Sequence, residues 1–89
     1  MPDQDSAVNY WQLRSSELAE ECLTLLDDRS LTSAPELHRE LNMISRSWSE
    51  TFEMPTESFE EQARRAARIG ALRKRTIELL VRIEKRPGA

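Results

Sequence analysis

The sequence predicts an all-α fold, either a small antiparallel three-helix bundle or a helical hairpin. Three observations predict it. Three stretches repeat apolar residues at alternating spacings of three and four, the period of an amphipathic helix. Ser33-Ala34-Pro35-Glu36 and Ser58-Phe59-Glu60-Glu61 read as capping boxes, each at the head of such a stretch. Glycine occurs twice in 89 residues and only Gly70 is internal, too few for a turn-rich β fold. The expectation is one helical domain over residues 1–89, with 1–5 and 87–89 as disordered tails.

The first helix is predicted over residues 6–28, with Asp5 or Ser6 as its N-cap. Val8, Trp11, Leu18, Cys22 and Leu25 form its apolar row, and only Ser15 breaks it. Ala19 and Leu26 widen the stripe. The second helix is predicted over 34–53. Its box pairs the Ser33 hydroxyl with the amide of Glu36, and Pro35 costs nothing in the first turn. Leu37, Leu41, Ile44 and Trp48 make its row, which Phe52 extends, and Met43 lies beside it. Met54-Pro55 ends the pattern, because a residue before proline avoids the helical region. The third helix is predicted over 57–86 and is the longest. Phe59, Ala63, Ala66, Ile69, Leu72, Leu79 or Leu80, and Ile83 form its row, with Thr76 at one position. Small residues line its first half (Ala63, Ala66, Ala67, Gly70) and offer a close approach to another helix. Short loops then set neighbouring helices antiparallel.

Charge divides along the chain. Residues 1–55 carry eleven acids and four bases, whereas residues 56–89 carry five acids and nine bases. A basic third helix has two readings. It pairs with acids inside the fold, or it meets a polyanion through Arg64, Arg65, Arg68, Arg73, Lys74 and Arg75. The second reading lacks the interleaved aromatics of single-strand binders and the glycine turn of a helix-turn-helix. A pI near 5.2 also weighs against general nucleic-acid affinity.

No catalytic constellation is legible. The single histidine, His38, lies off the apolar row and reads as solvated. The single cysteine, Cys22, reads as a buried inert thiol. One cysteine allows neither an internal disulfide nor a cysteine zinc cage. Neither a phosphate-cradling glycine loop nor an EF-hand loop is present. No cofactor, metal or enzyme activity is therefore expected. The longest apolar run, Leu79-Leu80-Val81, is too short for a membrane span. The acidic start lacks a secretory signal pattern, and a cytoplasmic location is expected.

The function expected is that of a non-enzymatic bacterial protein-interaction module, chaperone-like or regulatory. It would hold another protein, or a second copy of itself, in an apolar groove bounded by the first and third helices. Trp11 and Trp48 stand on core rows and are candidate anchors as well. Leu72, Leu79, Val81 and Ile83 complete the candidate partner-binding set, because the end of the third helix has more apolar surface than one neighbour needs. The alternative is a nucleic-acid-binding regulator using the basic third helix.

Overall fold

The predicted apolar rows become three helices. The computed structural model describes residues 9–86, the side chain of Ser30 excepted. Helix α1 spans Ser15–Leu26, α2 spans Pro35–Phe52 and α3 spans Phe59–Glu84. Two 3-10 turns, Tyr10–Gln12 and Arg29–Ser33, precede α1 and α2. Among the described residues there is no strand. Successive helices run antiparallel. The end of α1 meets the start of α2, where His38 Nε2 lies 3.4 Å from the Leu26 carbonyl oxygen. Glu40, near the start of α2, reaches Arg82 at the end of α3, and Glu50 reaches Arg68 towards its start. The expected tails, the cap at Asp5 or Ser6, and Val8 lie outside the described residues.

The first helix begins later than its apolar row predicts. Asn9 accepts the Trp11 amide at 3.2 Å and caps a short 3-10 turn in place of an α-helix. Leu13 and Arg14 are extended. The chain then enters α1, and the Glu17 carboxylate accepts the Arg14 amide at 2.7 Å. The gap in the row at Ser15 is thus the helix start.

The Ser33 box is not the start of the second helix. Ala34 is the N-cap and makes no side-chain cap bond, with Pro35 in the first turn. Leu31 explains the shift: it is fully buried, which fixes residues 29–33 as a 3-10 turn and leaves Ser33 within that turn. The Ser58 box does form. Ser58 Oγ accepts the Glu61 amide at 3.0 Å, and Glu61 Oε1 accepts the Ser58 amide at 3.0 Å.

Leu18 and Cys22 of α1 meet Leu41, Ile44 and Trp48 of α2 and Leu72, Leu79, Leu80 and Ile83 of α3 in one core. Trp48 is 1% exposed, and its indole N–H donates to Thr76 Oγ1 at 2.9 Å. Thr76 in turn donates to the Leu72 carbonyl at 2.7 Å. The third-helix row is core only from Ile69 onward. Phe59 is 84% exposed, and Ala63, Ala66 and Gly70 are exposed too. The cause is length. At 1.5 Å per residue, the 26 residues of α3 span about 39 Å and the 12 of α1 about 18 Å, so α3 overhangs. A Cβ built on Gly70 meets nothing within 4 Å, so no neighbouring helix uses the close approach.

The two tryptophans should part company in stability. Trp48→Ala removes a buried ring and should cost about 3–5 kcal/mol. Trp11→Ala acts on a side chain that is 61% exposed and should cost less than about 1 kcal/mol. Urea midpoints decide this, and equal losses would contradict the core described. Ser58→Ala should cost about 1 kcal/mol through the lost α3 cap, read in the same titration.

Candidate functional site

The groove bounded by the first and third helices already holds part of the chain. Residues 9–13 run along the seam between α1 and α3 as a strap. Tyr10 is its anchor, 7% exposed, and its Oη donates to Glu84 Oε2 at 2.8 Å. Leu13, half-buried, packs against the core three residues further on. Between the helices, Arg73 clamps the main chain. Its Nη1 donates to the Leu13 carbonyl at 2.8 Å and its Nη2 to the Trp11 carbonyl at 3.1 Å. One guanidinium holding two carbonyls uses the fork geometry that lysine lacks.

Burial raises the Tyr10 phenol well above its usual range, and the hydrogen bond to Glu84 and the charges of Glu84 and Glu21 add to it. Glu21 belongs to α1 and Glu84 to α3, so the ring sits between the two helices. Beside the strap, Trp11 turns outward over α3. A groove of about 510 Å³ opens there, lined by Trp11, Ile77, Glu78, Val81 and Arg82. A second groove, about 240 Å³, lies between α1 and α2, with Leu23 and Phe52 among its lining residues. Phe52 stacks on Trp48 at 5.4 Å, and the Arg65 guanidinium lies 5.8 Å from its centroid.

The candidate partner-binding residues separate. Trp11 is at the surface and Val81 half-buried beside it. Trp48, Leu72, Leu79 and Ile83 are buried in the core and offer no surface to a partner. Their rows are right, but the helices consume them. Ile77 belongs to the strap site and was not among the sequence candidates. Tyr10, which precedes Trp11 and faces away from it, reads from the sequence as a second candidate for exposed aromatic surface; it is instead buried, because its ring fills the seam and its hydroxyl bonds Glu84. Ile77 stands seven residues after Gly70 and four before Val81, a second row on α3 that the stronger core row conceals.

The basic residues also separate. Arg73 is committed to the strap. Arg65 Nε donates to the Thr51 carbonyl at 3.2 Å, and Arg68 Nε to Thr51 Oγ1 at 3.2 Å. Arg82 pairs with Glu40 through both oxygens, at 3.2 and 2.8 Å. Arg64, Lys74 and Arg75 have no such partner among the described residues. Part of the basic helix therefore serves internal complementarity.

Cys22 is buried, and desolvation, then the Glu21 charge, push its thiol up to about 11. It is a protonated core residue at neutral pH. His38 is exposed. Among the described residues, no group of three or more histidine, cysteine, aspartate or glutamate side chains could hold a metal ion. Among them, too, no helix is long and apolar enough to cross a membrane. The chain matches no protein-family model, no curated protein and no solved structure.

Tyr10 is the single tyrosine, so phenolate absorbance near ~295 nm reads the strap directly. Its folded pKa lies above the unfolded value of about 10, so its contribution to stability is intact below about pH 10 and drains away as pH rises further. The native chain should ionise above about pH 10, and Glu84→Gln should bring the midpoint down towards that value. A native midpoint at the ordinary value would mean that the phenol is not docked.

Proposed function

We propose that the chain is a non-catalytic protein-interaction module that docks a partner protein on its α1–α3 face. The observation that carries this reading is the strap. A face that holds a short segment through one buried aromatic and a few polar contacts has the features of a binding groove. Apolar surface continues past the strap at the half-exposed Val81, where Trp11 stands exposed. Exposed aromatics flanked by charged side chains are typical of interface anchors. The internal use of Arg65, Arg68 and Arg73 favours this reading over a polyanion site along α3. The reading includes a cytoplasmic setting, in which the buried Cys22 stays a thiol.

The test is capture of partners by the immobilised chain, identified by mass spectrometry. Val81→Glu places a charge on the proposed face and should lower capture about tenfold with the helical circular dichroism unchanged. Leu23→Glu alters the opposite groove and should leave capture intact. Loss with Leu23→Glu and not with Val81→Glu would move the interface away from α3. Capture that collapses steeply with added salt would point to a polyanion instead.

A further inference from the structure

A segment seated in a groove shows what the groove accepts. In the strap, Tyr10 fills the seam and Leu13 packs three residues on, while the Trp11 side chain between them faces out. The polar contacts divide in the same way. Arg73 takes two main-chain carbonyls, which any peptide presents. Glu84 takes a hydroxyl, which selects tyrosine over phenylalanine. The strap is also separable. It joins α1 through two extended residues, Leu13 and Arg14, and the Glu17 carboxylate satisfies the Arg14 amide at the helix start. Lifting the strap therefore unwinds no turn of α1.

We propose that the α1–α3 groove is a site for a peptide segment of the pattern tyrosine-x-x-aliphatic. The chain's own strap is its resident ligand, and a partner protein binds by placing a segment of that pattern there in the strap's stead. This rests on the interaction-module reading and names the partner's chemistry. The tethered strap competes at an effective concentration on the order of millimolar. A partner segment has to gain more than the strap does, and the half-exposed Val81 beside the strap is where it gains it.

The strap itself is the probe. A fluorescein-labelled peptide of residues 6–14 is titrated by anisotropy into the full chain and into the full-length Tyr10→Ala variant. The variant, whose own anchor is gone, should bind it about tenfold more tightly than the unsubstituted chain. The peptide carrying Tyr10→Ala should not bind. Adding Arg73→Ala to the variant should weaken binding about tenfold through the lost carbonyl clamp. If Tyr10→Ala loses its helical circular dichroism, Tyr10→Phe replaces it: the ring stays, the Glu84 bond goes, and the shift is smaller in the same direction. Binding to neither folded chain, equal binding to both, or indifference to the peptide's tyrosine would overturn the proposal. If Val81→Glu still lowers partner capture in that case, the interaction module stands and only the peptide site falls.

Discussion

The core depends on giving the Trp48 indole N–H a partner. The ring is the largest side chain buried in the structure, and it lies where all three helices meet. An indole donor left unpaired in such a place costs on the order of 1–3 kcal/mol. Thr76 removes that cost by accepting the hydrogen bond, and its own hydroxyl donates to the Leu72 carbonyl one turn back. This single chain of bonds fixes the register of α2 on α3. Once it is set, Glu40 falls opposite Arg82 and Glu50 opposite Arg68. Those exposed pairs follow the register and are too weak to impose it. Thr51, fully buried as well, repeats the device lower down, donating to the Ser47 carbonyl and accepting from Arg68.

Helix identity was legible because it is local. The rows of α2 and α3 repeat over several turns, and the Ser58 box needs only four residues, so α2 and α3 lie close to their predicted bounds. What was not legible is what distant residues decide. Trp11 stands at helical spacing from Leu18, and nothing nearby forbids a helix through it. The contacts that hold residues 9–13 outside a helix come from Arg73 and Glu84, sixty residues and more along the chain. The local signs were Asn9, which caps the 3-10 turn, and Ser15, a polar residue in an apolar row. Ser33 misled for a related reason. Its box is a sound local motif, but burying Leu31 gains more than one cap, and the turn that buries Leu31 keeps Ser33.

Of the six partner-binding candidates read from the sequence, four are core residues. A strong apolar row draws attention to the face that folding consumes. A binding face has to be what remains, and on α3 the apolar remainder near the strap is Val81, half-exposed beside the buried Ile77. Charge followed the same logic. The basic third helix looked like a footprint for a polyanion, yet Arg73 donates to the strap's Leu13 and Trp11 carbonyls.

That use of Arg73 links the fold to its proposed role. α1 is too short to cover the first half of α3, where most residues stay exposed. The strap lies along the other half, from Arg73 to Glu84, beside α1. The chain breaks at Leu13 and Arg14 and returns that strap, held by one phenol, one aliphatic side chain and one guanidinium. Each of these contacts is one that a segment from another protein can also make. Helix–helix packing is hard to exchange, because it involves many interlocked side chains at once. A strap with two anchors is not, so a bundle that seals its own seam with a strap keeps that seam open to a competing segment.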